Sequence, residues 1–403
     1  LHHFENVFQG EGTFYRPIIG LTYMFDYFLY ALDPSGYHIT NILWQVLAAF
    51  LVYLLIRIIF KSFILGAVSS LLFLIHPIQT EAVTYISGRA DLIATSFLLL
   101  YLVFFVLDLK KTKQTDFLTK EFVLANISLF LAFLSKEIAF TSLPLLGLIF
   151  YIVRSQREEK PLRLNALYPY LIGFIALLFL YFKLRSNALG DWAYATETLP
   201  FGERMLTTVT VLAEYFRILL FPLGLHMERT VQVVDSLLNI RLAFSSIILG
   251  IIIALAIKHS KRSSYVFFGT IWFLITIFPF LNIIPLNATM AEHWLYVPSI
   301  GFFFLVAYII NEVYRKAQKR ILKVTLVSVF SLIIATFGML TIKQNAYWKD
   351  DITFYLRTLK YSPGSLRCIG NLATMYTKEG KHDEAIALFE KGIESNPKEY
   401  QLY

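Results

Sequence analysis

His76-Pro77-Ile78-Gln79-Thr80-Glu81-Ala82-Val83-Thr84-Tyr85-Ile86-Ser87-Gly88-Arg89-Ala90-Asp91 lies between two long apolar runs, Phe63 to Ile75 and Leu92 to Leu107. Ionisable groups are costly at a membrane face unless they are paired or used. A polar connection of this kind between apolar runs reads as the turn of a transmembrane helical hairpin, and it is the first place to look for chemistry.

The composition extends that reading to the whole chain. Of 403 residues, 57% are hydrophobic and 16% charged, with 37 Phe and 24 Tyr, and the mean hydropathy is +0.61. A soluble core of this length does not need so much apolar surface, so the fold class expected is all-α, a polytopic transmembrane helical bundle. Further apolar runs cover Ile39 to Phe60, Phe122 to Leu134, Ile138 to Val153, Ala166 to Phe182, Leu242 to Ile257, Val266 to Leu286, Val297 to Ile310 and Ile321 to Ile342. Several fall short of the ~20 residues of a full crossing. Ile18 to Leu32, interrupted by Asp26, and Met205 to Phe221, interrupted by Glu214 and Arg217, read as interfacial or re-entrant helices.

The formal charge is +8, but half of the 36 lysines and arginines fall in five clusters around Arg57, Lys110, Arg154, Lys258 and Arg315. These occupy alternate connections, the pattern of membrane topology rather than of a nucleic-acid footprint, and are expected to be cytoplasmic. The connections holding His76 to Asp91, Ser135 to Glu137, Arg185 to Glu203 and Asn287 to Trp294 then face outward together. The compartment expected is a bacterial inner membrane or an endoplasmic reticulum. The single cysteine, Cys368, excludes a disulfide within the chain.

After Ile342 the composition becomes polar. Ile369, Leu372, Ala373, Tyr376, Gly380, Ala385, Ile386, Phe389 and Pro397 match the tetratricopeptide spacing, with Gly392 where a small Ala is usual. The expected division is a transmembrane domain over 1–342 and a tetratricopeptide region over 343–403, on the same side as the outward loops. Tyr400 to Tyr403 reads as the start of a further repeat, and the chain as cut at both ends.

Each candidate group has a plain alternative. Glu81, Arg89 and Asp91 could cap the loop as salt bridges, or Arg89 could grip a phosphate through its planar fork while a carboxylate positions an acceptor or a metal. Ser135-Lys136-Glu137 puts two opposite charges in a tight turn, so both are paired, snorkelling, or turned into an aqueous cavity. Glu292 with His293 adds a carboxylate and an imidazole at another helix end, and Arg16 at Tyr15-Arg16-Pro17 is either a headgroup anchor or part of a site. No GxxxxGK[ST] loop, HExxH helix, CxxC pair or dinucleotide fingerprint is present, and the isolation of His76 argues against a histidine metal site.

Tyr15-Arg16-Pro17, Gly36 to Asn41, His76 to Val83 with Gly88 to Leu92, Ser135-Lys136-Glu137, Ala291 to Ser299 and the trailing repeat together resemble the TMTC-type O-mannosyltransferases and their prokaryotic relatives among the GT-C glycosyltransferases. The HPxxTEAV run followed by GRAD is the specific part. The resemblance implies a GT-C-like enzyme that takes a sugar, plausibly mannose, from a polyprenyl-phosphate (dolichyl-type) carrier at the non-cytoplasmic face. It places the sugar on a hydroxyl acceptor, a protein recruited by the repeats. It also implies acids among Glu81, Asp91 and Glu137, and substrate or phosphate contacts among Arg89, Lys136, Arg16, His76, Glu292 and His293, with any metal unknown. The family's leading acidic motif is expected upstream of Leu1, since only Glu5 and Glu11 precede Tyr15 here. Two other readings stay open: a lipid-linked oligosaccharide ligase or polymerase, and a non-enzymatic scaffold whose repeats gather partners.

Overall fold

The computed structural model describes residues 14–111, 119–156, 164–189, 199–286 and 288–395. Glu5, Glu11, Pro397 and Tyr400 to Tyr403, named above, lie outside them. The described residues are helical, with no strand among them. The elements are α1 (Pro17–Tyr30), α2 (Pro34–Phe60), α3 (Phe63–Ile75), α4 (Thr80–Thr84), α5 (Arg89–Leu109), α6 (Lys120–Phe133), α7 (Ser142–Ser155), α8 (Tyr168–Leu189) and α9 (Phe201–Leu220). They continue with α10 (Ile240–Ser260), α11 (Ser264–Ile277), α12 (Pro298–Lys316), α13 (Arg320–Asn345), α14 (Asp351–Tyr361), α15 (Leu366–Lys378) and α16 (His382–Ser395).

Six helical segments are long and apolar enough to cross a membrane, and α3 with the short helices after it, bent by 54° at the break, would make a seventh. The chain is a multi-pass membrane protein. Helices α6 and α11, at 14 residues each, are shorter than a full crossing; the run of α6 is short in the sequence too, whereas that of α11, Val266 to Leu286, continues past the helix into the turn at Phe278–Phe280. Turn chemistry sets the boundaries: Asp33 caps α2 and Pro34 starts it, while Ser62, Thr119, Asn239 and Ser263 cap α3, α6, α10 and α11.

Helix α5 is the centre of the bundle. Its apolar window is 72% buried, whereas the window of α13 is 0% buried and that of α10 is 17% buried. α5 packs on α2, α6 and α7, and Tyr101, Leu102, Phe105 and Val106 are sealed in the core. Helices α11 and α12 cross closely at Gly269 and Gly301. A Cβ on Gly301 would lie 2.6 Å from the Gly269 carbonyl oxygen and 2.9 Å from the Phe273 nitrogen. These are backbone atoms that cannot swing aside, the small-residue contact by which membrane helices approach. Gly301→Val should therefore destabilise the protein by about 1–3 kcal/mol, seen as a lower melting temperature in detergent. An unchanged melt would mean that the crossing relaxes freely.

Helix α13 runs past the expected boundary at residue 342 into the tail. There α14 precedes a helical hairpin, α15 and α16, turned at Gly380 with φ of 77°. Ile369, Leu372, Ala373 and Ala385 are buried within it. The tail docks on the connection after α9. Nδ1 of His226 donates to the Gly224 carbonyl at 2.7 Å, its ring stacks on Tyr361, and Nε2 accepts from the Ser362 hydroxyl at 3.2 Å. Ser362 in turn accepts from the Thr230 N–H, and Glu228 receives Ser365 and Arg367.

This arrangement uses neutral His226. Burial, and then the Arg229 and Arg357 guanidinia, push the imidazole down to about 4, against the Gly224 carbonyl and Glu214, which favour its charged form. A folded value below the ordinary 6.5 means that the stabilisation is whole above about pH 6.5 and drains away as pH falls toward 4. Protection of the α14 amides from hydrogen exchange, corrected for the intrinsic rate at each pH, should accordingly fall over that window, and His226→Gln should flatten the dependence.

Candidate functional site

The loop from His76 to Asp91 is rigid. His76 closes α3 and is 1% exposed, its Nδ1 accepting from the Ile78 N–H at 3.2 Å and its Nε2 donating to the Leu219 carbonyl at 3.2 Å. Its ring lies against Phe303 and Phe337, so the imidazole serves as an internal cap with no open face. Asn41 ties the loop to α2 by donating to the Val83 carbonyl at 3.0 Å, and Gln79 donates to Ser299. Gly88 sits where a Cβ would come within 2.5 Å of the Ala82 carbonyl oxygen. Glycine is the residue that lets the chain double back there and start α5 with Arg89.

Arg89 is fully buried. Its guanidinium meets Asp26 of α1 at 2.5 Å. Nε donates to Asn41 at 2.7 Å, and the terminal nitrogens donate to the Tyr37 carbonyl at 3.0 Å and to Thr22 at 3.4 Å. The Tyr23 ring lies 4.7 Å beneath. Asp26, 1% exposed, also accepts from the Thr40 hydroxyl at 2.8 Å. Arg89 thus joins α1, α2 and α5, and presents no face to solvent through which to meet a phosphate.

Two residues on, Asp91 takes both oxygens to the Lys136 ammonium at 2.7 Å. Lys136 belongs to the turn after α6, and the next residue, Glu137, is shared by two guanidinia. Arg16 reaches it at 2.6 Å and Arg185 of α8 at 3.5 Å, with Arg185 also donating to the Tyr181 hydroxyl at 3.1 Å. Arg16 and Glu137 keep 23% and 32% of their side chains exposed, so this cluster is open to water. Two guanidinia share one carboxylate there.

Of the remaining three candidates, Glu292 and His293 come from the turn before α12 and Glu81 from α4. Glu81, in the first turn of α4, accepts from the His293 N–H at 2.9 Å and meets the His293 ring at 2.8 Å. Glu81 is 4% exposed and His293 28% exposed. Glu292 points the other way, accepting from the His226 N–H at 2.8 Å and from Arg229 at 2.6 Å. Burial pushes the Glu292 carboxyl up to about 7, with Arg229 opposing that shift and Glu81 adding to it.

The nine residues singled out in the sequence therefore resolve into discrete partnerships around one end of the bundle. Arg16, Lys136, Glu137 and His293 have water-facing surface, Glu81 and Asp91 stand directly behind them, and Arg89, His76 and Glu292 are interior. Asp26, Arg185 and Arg229 complete the set. Asp26 shows in the sequence as an acid inside an apolar run, whereas Arg185 and Arg229 carry no local signal. No group of three or more His, Cys, Asp or Glu side chains able to hold a metal ion occurs among the described residues.

Comparison with known proteins gives this end of the bundle a context. Residues 34–186 match the family model described as dolichyl-phosphate-mannose-protein mannosyltransferase. The chain is 26% identical to Protein O-mannosyl-transferase F38B6.6 of Caenorhabditis elegans, over 95% of this chain and 54% of that protein. It is 25% identical to Protein O-mannosyl-transferase TMTC3 of Homo sapiens, over 98% of this chain and 47% of that protein. It is also 25% identical to human TMTC1, over 98% of this chain and 50% of that protein. The chain spans about half the length of the curated relatives it matches. No solved structure matches it. The matched region holds the loop from His76 to Asp91, the Lys136–Glu137 turn and Arg185, and, with similarity running along nearly the whole chain, the protein is similar to the TMTC-type protein O-mannosyltransferases.

Proposed function

We propose that the protein is a GT-C-type glycosyltransferase that moves mannose from a polyprenyl-phosphate carrier to a hydroxyl group of a protein acceptor, at the non-cytoplasmic end of the bundle. The observation that carries this reading is the cluster of Arg16, Glu137 and Arg185. It is a partly exposed rim in which two guanidinia share one carboxylate beside an apolar bundle, chemistry suited to a phosphate whose isoprenoid chain stays in the lipid. Forked guanidinia bind phosphate oxygens in pairs, and they stabilise the negative charge that grows on the phosphate as the sugar departs.

In this reading Lys136 adds a second cation, held in place by Asp91. Glu81, oriented by the His293 N–H, positions the acceptor hydroxyl, and His293 borders its approach. Arg89 acts through others: it fixes α1, and with it Arg16, against α5. The tail helices, placed at the same end of the bundle, are where the acceptor is received.

The test is transfer by the full-length protein in nanodiscs, with mannosyl phosphopolyprenol as donor and an oligosaccharyl pyrophosphopolyprenol as competitor. Transfer of mannose, little affected by a molar excess of the competitor, is expected. Preferred use of the oligosaccharyl donor would replace this reading with that of a ligase.

A further inference from the structure

A cleft of about 410 Å³ opens between the loop of α4 and the tail helices. One wall is the turn Thr84-Tyr85-Ile86, the other is built from Trp348, α14 and α15, and Met227 lies between them. Its volume falls in the range of ligand sites, ~300–1,000 Å³. It has room for a few residues of an extended chain and none for a folded domain.

The lining is a run of aromatic rings. Tyr85, 40% exposed, lies 5.8 Å from Trp348, which lies 4.6 Å from Phe354, which lies 5.2 Å from Tyr355. Polar groups stand at the edge of the run: Asn371, solvent-exposed, donates to the Tyr355 hydroxyl at 3.2 Å, which leaves that hydroxyl its own proton to donate. The charge on the lining is negative. Asp351 supplies a carboxylate, that of Asp350 caps α14 through Thr353 with Lys349 3.5 Å away, and the one arginine of the lining, Arg367, is held at 2.6 Å by Glu228.

We infer that this cleft docks a proline-rich, hydroxyl-bearing segment of the acceptor that also carries a basic residue, bound as a left-handed polyproline helix. Three features match that occupant. A polyproline helix has no internal hydrogen bonds, so its carbonyls are free for the Asn371 amide and the Tyr355 hydroxyl. Its pyrrolidine rings pack into aromatic-lined grooves, with little conformational entropy left to lose. A lysine or arginine beside the prolines would meet the carboxylate of Asp351. The position also suits an acceptor: Tyr85 closes the single turn that Glu81 opens, its N–H bonded to the Glu81 carbonyl at 3.3 Å. A segment in the cleft therefore passes one helical turn from Glu81. This inference rests on the transferase reading for the identity of its partner, while its test needs no donor.

The probe is a fluorescein-labelled dodecapeptide of alternating threonine and proline with a lysine at each end, titrated against the full-length protein in nanodiscs by fluorescence anisotropy. Replacing every proline by glycine should weaken binding about tenfold, because the flexible chain must be ordered first. Glutamates in place of the lysines should weaken it about fivefold at low salt, an effect that added salt removes. Asn371→Ala, an exposed position, and Trp348→Ala should each weaken binding of the proline peptide, and Asp351→Asn should reduce the preference for lysine. Equal binding of the three peptides, or no binding of any, overturns the inference. Displacement of the peptide by methyl α-mannoside, with the same variants affected, would make the cleft a sugar site instead and equally overturns it. Mannose transfer that persists with an unchanged acceptor KM in Asn371→Ala removes this inference and leaves the transferase reading standing. A peptide that binds as described yet is never glycosylated does the reverse.

Discussion

Arg89→Ala in the full-length protein should cost about 3–5 kcal/mol of stability, because it strands the Asp26 carboxylate inside the bundle without its counter-ion. The two side chains are 0% and 1% exposed and 2.5 Å apart, so no water can replace the lost guanidinium without opening the contact between α1, α2 and α5. A lower melting temperature, together with a collapsed monomer peak in size-exclusion chromatography, is the expected result. The conservative Arg89→Lys should recover only part of the loss, since one ammonium cannot reach Asp26, Asn41 and the Tyr37 carbonyl at once. The decisive comparison is the double variant Asp26→Asn, Arg89→Met, which removes both charges together. It should be much closer to wild type than Arg89→Ala, as neutral replacements of buried ion pairs often are. A wild-type melt for Arg89→Ala would refute the closed geometry and return Arg89 to the role of phosphate contact.

The second large effect is on transfer rather than on folding. Arg16→Ala should lower kcat/KM for the lipid-linked donor about 100-fold, the scale seen when a group that steadies developing charge is removed. The melting temperature should hardly move. Arg16 and Glu137 are a partly exposed pair, and such pairs contribute only about 0–1 kcal/mol to stability. Arg16→Lys should recover some of the rate by restoring charge without the fork. Glu137→Gln leaves Arg16 and Arg185 without their shared carboxylate, so donor binding should tighten or hold while turnover falls if Glu137 also handles the acceptor proton. Unaltered donor kinetics in both Arg16→Ala and Glu137→Gln would remove this cluster from the mechanism.

The contrast between these arginines shows how far the sequence carries. The helices are legible because crossing a membrane imposes length and apolarity on each segment, and the structure places helices on the runs from α2 to α13 with shifts at their ends. Lys136 and Glu137 are legible as charges that need partners, because a tight turn between apolar runs offers no other way to hold them. Which partners they find is not legible. In the sequence Arg89 has Glu81 and Asp91 as its nearest acids, yet it pairs with Asp26, across α2. The near neighbours go instead to His293 and Lys136. Helical geometry explains the switch: Arg89 and Asp91 lie two apart at the head of α5 and so point to different faces. The Arg229–Glu292 pair spans 63 residues and joins two connections with no periodicity to align them, so nothing local announces it.

The outermost helix has a mechanical consequence. Along its apolar window no residue of α13 is fully buried; Phe337 leans on the His76 ring, and the hydrogen bonds of the helix to the rest of the bundle are gathered toward its far end. There Thr341 bonds to the Ile75 carbonyl, Gln344 to the Leu225 carbonyl and Asn345 to Thr84. Tension applied to the tail is therefore borne by a handful of polar clasps before it reaches any packed interior. When the tail is pulled in a force experiment, those clasps should rupture first and α13 peel away through the lipid at low load, while α5 and its neighbours hold until a separate, larger event.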